Sequence, residues 1–162
     1  MLDLLGLIGG TVTELPFKYS CSAQGLSPDV VSGTVTAEGK IRNLAGLIVL
    51  NAKITLDARV VCARCGQEFN TGFSFDIEQK LTDKLENTDN DEFILLEDGK
   101  FDEAEFIRSS MILEMPGRFL CSNDCKGLCP KCGKNLNESP CSCDTRDIDP
   151  RLSVLAKYFE NE

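Results

Sequence analysis

The residues of this 162-residue chain best suited to chemistry are its nine cysteines. Eight of them fall into four close pairs: Cys62 and Cys65, Cys121 and Cys125, Cys129 and Cys132, Cys141 and Cys143. Zinc bound by thiolates takes four sulfurs in a tetrahedron, at about 2.3 Å each. A Cys-x2-Cys turn delivers two of these from one bend. A following glycine lets the bend adopt φ > 0 and aim backbone N–H groups at the sulfurs. Two such knuckles are present, Cys62-Ala-Arg-Cys65-Gly66 and Cys129-Pro-Lys-Cys132-Gly133. Eight thiols in four pairs match two four-thiolate sites, hence two zinc ions per chain. The ninth, Cys21, has no partner at a useful spacing and is expected to be a buried apolar thiol.

Two pairings are compatible with the spacing. One joins Cys129, Cys132, Cys141 and Cys143 locally, so that Cys62, Cys65, Cys121 and Cys125 form a second, long-range site. The other joins Cys121, Cys125, Cys129 and Cys132, leaving Cys62 and Cys65 to meet Cys141 and Cys143. Loop-closure entropy rises too slowly with length to choose between them. The first is favoured because two successive Cys-x3 gaps would crowd one ion.

Other cysteine chemistries fit less well. Cys125-x3-Cys129-x2-Cys132 matches the three-cysteine signature of radical-SAM iron–sulfur enzymes, but those set it in a much larger barrel, and the flanking cysteines would have no role. A redox Cys-x2-Cys should open a helix after a strand, whereas Cys62 and Cys65 lie between two strand-like stretches. An RNA-processing or iron–sulfur redox enzyme is therefore the alternative reading. The chain has no histidine, which removes mixed cysteine–histidine zinc sites and the Ser-His and Cys-His catalytic pairs. A closed four-thiolate site lacks the open coordination position that catalysis needs. The metals thus read as staples, and no catalytic residues are assigned.

Charge offers weaker candidates. Arg118, Lys126, Lys131 and Lys134, set against Asp124 alone, give the cysteine-rich stretch a basic skin that can meet phosphate, although a zinc ion with four thiolates is itself negative. The net charge of −9 is concentrated in residues 83–117, which carry three basic and eleven acidic side chains. Such a segment suits a basic protein partner or turns RNA away.

The elements that must position these residues follow from periodicity. Residues 15–81 read as strands. Val30–Ala37 is rich in β-formers, and Leu47–Val61 is long and largely β-branched or apolar. Gly72–Leu81 alternates, with Phe73, Phe75 and Ile77 on one side and Ser74, Asp76 and Glu78 on the other. Cys62 and Cys65 thereby occupy a hairpin tip. Residues 83–92 read as an acidic loop and Phe93–Leu96 as a short strand. A helix from about Asp102 is predicted to present Phe106, Ile107, Ser110, Met111 and Leu113, and to stop at Pro116-Gly117. Residues 118–145 have too few large apolar side chains for a core of their own, so a metal must order them. A closing amphipathic helix is expected from Asp149 to Phe159, with Leu152, Leu155, Ala156 and Phe159 on one face.

The expected fold is α+β: an antiparallel sheet or small open barrel, a few helices and a zinc-ordered C-terminal segment. Residues 1–117 would form the sheet domain with its acidic loop and helix, and residues 118–162 a zinc segment packed on it. The apolar stretch Met1–Gly10 carries Asp3 and lacks a basic residue before Lys18, so it reads as a short buried helix rather than a signal peptide. No run approaches the ~20 apolar residues of a membrane span. The chain is expected in the cytoplasm, whose reducing conditions favour metal binding over disulfides.

Cys62-x-Arg-Cys65 after a strand, the acidic middle, Leu113-x2-Pro116 before Cys121, Cys125-Lys-Gly-Leu-Cys-Pro-Lys-Cys-Gly-Lys-Asn-Leu-Asn137 and Asp149-Pro-Arg-Leu152 together resemble the YceD family. The resemblance runs from about residue 15 to residue 159 and is most specific over 121–152. It implies a bacterial or plastid factor linked to accumulation of large-subunit ribosomal RNA, with ribosomal RNA or a large-subunit ribosomal protein as partner. It carries over no catalytic residue.

Overall fold

The structure, a computed structural model, describes residues 1–83 and 92–143. The chain begins with a two-residue strand, β1 (Leu2–Asp3), and a single helical turn, α1 (Leu5–Ile8). That turn buries Leu4 and Leu7, as the apolar start suggested. Four long strands follow: β2 (Glu14–Ser22), β3 (Val30–Leu44), β4 (Leu47–Val61) and β5 (Glu68–Thr82). They form an antiparallel meander, each pairing with the next.

Alternation on β4 decides which face becomes the core. Ile48, Leu50, Ala52, Ile54, Leu56, Ala58 and Val60 point inward and are buried, while Asn51, Lys53, Asp57 and Arg59 face solvent. Branched side chains at these positions pack well on a pleated surface. On β5, Phe73, Phe75 and Ile77 pack against the same core and Ser74, Asp76 and Glu78 are exposed, matching the expected two-residue period. The outer face is charge-compensated, with Lys18–Glu38, Lys40–Glu14 and Arg59–Glu68 ion pairs all at 2.7 Å.

One feature corrects the sequence reading of the sheet. Strand β6 (Phe93–Leu95) joins the edge of β5 in parallel, so the sheet is mixed rather than purely antiparallel. The strand order β2-β3-β4-β5-β6 is linear, which gives an open sheet, one of the two forms expected, rather than a small open barrel. Strand β7 (Lys100–Phe101) pairs antiparallel with β1 in a separate two-stranded sheet.

Helix α2 (Glu103–Glu114) starts at Asp102, whose carboxylate accepts from the backbone N–H groups of Ala104 and Glu105. It buries Phe106, Ile107, Ser110 and Met111 over the sheet, and the Ser110 hydroxyl is satisfied by donating to the Phe106 carbonyl at 2.8 Å. Leu113 was expected on that face but is 82% exposed: the apolar stripe continues into the last turn, beyond the surface on which it packs. Cys21 also departs from expectation, being half-buried rather than buried. No helix among the described residues is long and apolar enough to cross a membrane.

Beyond α2 the described chain has no helix or strand, only an isolated bridge between Leu128 and Asn135. Phe119 anchors this stretch by burying its ring in the core, while its carbonyl accepts from Ala63 N–H at 2.9 Å. The expected acidic loop falls mainly on residues 84–91, and the expected closing helix on residues 149–159; both lie outside the described residues.

Candidate metal centres

Between β4 and β5 the chain turns through Cys62–Gln67, and the ladder registers the two strands up to Val61 opposite Glu68. The turn closes on itself. Gly66 N–H donates to the Cys62 carbonyl at 2.9 Å, and Cys62 N–H donates to the Gln67 carbonyl at 2.9 Å. The second knuckle repeats the pattern. Gly133 N–H donates to Cys129 O at 2.8 Å, and Cys129 N–H donates to Lys134 O at 2.8 Å. Gly66 and Gly133 have nearly the same φ, 71° and 70°. Equal spacing in the sequence has produced equal backbone geometry.

The thiols gather into two groups, Cys62 with Cys65, Cys121 and Cys125, and Cys129 with Cys132, Cys141 and Cys143. Within each group all four sulfurs lie within 4.8 Å of one another. This is the first of the two pairings that the spacing left open. Cys62 Sγ is 3.8 Å from Cys125 Sγ, and Cys65 Sγ is 3.7 Å from Cys121 Sγ. A tetrahedron with metal–sulfur bonds of about 2.3 Å has edges of about 3.8 Å, whereas a disulfide would bring two sulfurs to about 2.05 Å. The donor set and its spacing therefore fit a tetrahedral metal ion, and all nine cysteines are free thiols.

The first group is held by contacts between the hairpin tip and the stretch after α2. Cys121 N–H donates to Cys62 Sγ at 3.4 Å. Arg64 bridges the two halves: its guanidinium donates to the Cys125 carbonyl at 2.9 Å, and its own carbonyl accepts from Leu128 N–H at 3.1 Å. The Asn137 side-chain amide donates to Cys125 Sγ at 3.3 Å, and its oxygen accepts from Lys126 N–H at 2.7 Å. Sequence reasoning missed Arg64 and Asn137 as site residues. A lone Arg inside a knuckle and an Asn in a polar loop carry no periodic or spacing signal.

These contacts sort the thiols by acidity. Burial pushes Cys62 up, but N–H groups of Cys121, Cys65 and Arg64 at its sulfur outweigh that and bring it down to about 6. Cys129, served by the N–H groups of Cys132 and Lys131, is likewise brought down to about 6. For Cys125, burial acts upward and the Asn137 amide with Gly127 N–H acts downward, for a net lowering. The neighbouring sulfur of Cys125 pushes Cys121 up to about 12, and that of Cys132 does the same to Cys143. Gln67 N–H draws Cys65 down, yet burial and the Cys62 and Cys125 sulfurs prevail and raise it. Each group thus sets a thiol of lowered pKa, Cys62 or Cys129, against at least one of raised pKa, Cys121 and Cys65 in the first and Cys143 in the second.

A family profile described as "Large ribosomal RNA subunit accumulation protein YceD" matches residues 50–158. This chain belongs to the YceD family. The matched stretch takes in β4 from Leu50 and both cysteine groups, and leaves out β2 and β3. A Zea mays protein named "Large ribosomal RNA subunit accumulation protein YCED homolog 1, chloroplastic" is 30% identical over 189 residues, covering 96% of this chain and 60% of the maize protein. The Arabidopsis thaliana protein of the same name is 34% identical over 61 residues, 38% of this chain and 19% of its own length. An uncharacterized protein of Mycobacterium tuberculosis is 36% identical over 167 residues, 99% of this chain and 69% of the relative. The chain thus spans less than two thirds of either plant relative. No solved structure matches it.

The basic residues singled out in this YceD-family sequence all lie on the surface. Arg118 precedes the buried Phe119, Lys126 lies between Cys125 and Gly127, and Lys131 and Lys134 flank Cys132. Lys134 Nζ donates to the Pro140 carbonyl at 3.3 Å, across the loop that carries the second cysteine group.

Proposed function

We propose that this chain is a non-enzymatic zinc-binding factor of large ribosomal subunit biogenesis, acting in the bacterial cytoplasm to support accumulation of large-subunit ribosomal RNA. The observation that carries the reading is the match to the maize accumulation protein along 96% of the chain. The two tetrads supply the rest. Zinc is the ion that four thiolates in a tetrahedron suit best, and four protein ligands leave no position for a substrate or water. Cys62, Cys65, Cys121 and Cys125 hold one ion; Cys129, Cys132, Cys141 and Cys143 hold the other. Both are structural, and the work is done by surfaces they order.

Ribosomal RNA meets the zinc segment through Arg118, Lys126, Lys131 and Lys134, which are exposed together on a stretch with few acids. Depleting the protein from cells should lower large-subunit RNA relative to small-subunit RNA, and the purified chain should hold two zinc ions and be colourless. Iron with visible absorption would instead support an iron–sulfur enzyme. Replacing Lys126, Lys131 and Lys134 by Ala should weaken RNA binding and flatten its salt dependence by a slope of roughly two to three.

A second partner reading has its own support. Glu97, Asp102 and Glu105, with Lys100 and Met1, line a hollow of about 400 Å³ beside α2 that has Phe101 and Phe106 among its walls. A largely apolar hollow in which three carboxylates outnumber the cations suits a basic ribosomal protein segment carrying a bulky side chain. Under that reading the triple lysine change has little effect, and Glu105→Gln with Asp102→Asn weakens the protein complex.

A further inference from the structure

The two tetrads share a donor set and a knuckle geometry, and they differ in what surrounds them. In the first, Cys62, Cys65 and Cys125 are buried and only Cys121 is half-buried; Phe69 and Leu120 pack against them. In the second, Cys129 alone is buried, Cys141 and Cys143 are half-buried, and Cys132 is exposed. An open hollow of about 480 Å³, with Lys126, Leu136, Pro140, Cys141 and Cys143 among its walls, lies against that side. The reach of the two sites differs as well. The first ties thiols 56 and 63 residues apart, fastening the β4–β5 tip to the chain after α2. The second closes only the loop 129–143, which contains no helix or strand.

We propose that the second tetrad is a peroxide-sensitive zinc site with Cys132 as its point of attack, while the first stays closed to the same reagent. The inference rests on the reading that zinc occupies both tetrads. Oxidation of thiols follows thiolate character and access. Zinc keeps all four sulfurs as thiolates in both sites, so access is what separates them. The Cys132 thiolate attacks one oxygen of a hydroperoxide and breaks the O–O bond, giving a sulfenic acid and releasing the other oxygen as hydroxide or alkoxide. A neighbouring thiolate, all three being within 4.8 Å, then attacks the sulfenic sulfur, forming a disulfide and expelling hydroxide. The two-electron oxidation of two thiolates balances the two-electron reduction of the peroxide. Zinc, left with two of its four ligands, departs.

The consequence is local. Lys131 and Lys134 belong to the released loop, so oxidation removes the order of two of the four basic residues proposed to face RNA. The sheet persists and the first site keeps all four of its own sulfurs, although it loses the Asn137 contact to the Cys125 sulfur.

The test uses the full zinc-loaded chain. Its metal content is measured first, then hydrogen peroxide is added while a chromophoric chelator reports free zinc and differential alkylation with mass spectrometry locates the oxidised thiols. One of the two zinc equivalents should leave at least about tenfold faster than the other. The early disulfide should map to Cys129, Cys132, Cys141 or Cys143, with the far-ultraviolet sheet signal unchanged, and reductant plus zinc should restore the starting state. A chain that carries no zinc overturns the zinc reading and this inference with it. A two-zinc chain that releases both ions in one phase, releases none, or is oxidised first at Cys62, Cys65, Cys121 or Cys125 overturns this inference alone.

Discussion

The side-chain amide of Asn137 donates to the Cys125 sulfur at 3.3 Å, so a residue from the second cysteine loop buttresses the first site. Its oxygen also accepts from Lys126 N–H, fixing the chain on the far side of the ligand. Outer contacts of this kind orient ligands and tune their basicity, and removing one costs about 10–100-fold in metal affinity. Asn137→Ala should therefore weaken zinc binding at the first site by about tenfold or more and leave the second site unaltered. Chelator competition checks this. Unchanged affinity at both sites would show that the contact is incidental.

Cys65→Ala should retain one zinc ion rather than two. Its site shares no sulfur with the group formed by Cys129, Cys132, Cys141 and Cys143. Hydrogen exchange should rise at Cys62–Gln67 and around Cys121, while Gly133 N–H and Cys129 N–H stay protected by their knuckle bonds. Specific release of the Cys141–Cys143 segment, with Cys121 still protected, would argue for the crossed pairing.

Acidity in the metal-free protein sets how zinc binding depends on pH. At pH 7.5, Cys62, with its value near 6, is already a thiolate, whereas Cys121, near 12, and the raised Cys65 still hold protons. Loading the first site should release at least two protons, so affinity should increase as pH rises. Below pH 6 the Cys62 and Cys129 thiolates are also protonated, and the dependence should steepen. Calorimetry in buffers of different ionisation enthalpy reads the proton count. Affinity that stays flat between pH 6 and 8 would refute the assignment.

Gly127 and Gly133 separate backbone strain from crowding. Both have φ near +70° (72° and 70°). A Cβ on Gly133 meets nothing within 4 Å, whereas one on Gly127 would lie 2.9 Å from the Arg64 carbonyl oxygen. Gly133→Ala should cost about 1–2 kcal/mol from the left-handed conformation alone. Gly127→Ala should cost more, because it also presses on the carbonyl that Leu128 N–H uses. Thermal unfolding of the zinc-loaded variants gives the order, and equal losses would remove the Arg64 contact as a cause.

Long periodic elements were legible in the sequence, and encounters between them were not. Leu47–Val61 reads directly as β4 because its inward positions are almost all apolar and many are branched. The β-rich stretch seen in the sequence ends at Ala37, and strand β3 runs on through Glu38-Gly-Lys40 to Leu44 with Ile41 buried. Gly39 is there for space: a Cβ would lie 2.0 Å from the Asn51 carbonyl oxygen on the paired strand. Three residues cannot encode a direction of pairing, and so the parallel placement of β6 was unreadable. The cysteine spacing revealed four pairs of thiols. Which pairs meet depends on Phe119 sinking into the core beside the hairpin tip, and that is a tertiary event.

The separation of its ligands also gives the first tetrad a place in time. Cys65 leaves the ribosome 56 residues ahead of Cys121, and Cys62 leaves 63 ahead of Cys125. At elongation rates of about 5–20 residues per second that interval is roughly 3–12 s. Within it β5 and then β6 follow, so the β4–β5 hairpin acquires its backbone partners while its tip carries half a ligand set. The earliest ligands made thus belong to a centre completed only after α2 has been synthesised, whereas all four sulfurs of the other centre emerge within one short stretch. A metal ion bound at the first site would act as a latch on a sheet already paired, and its supply would govern the close of folding rather than the start.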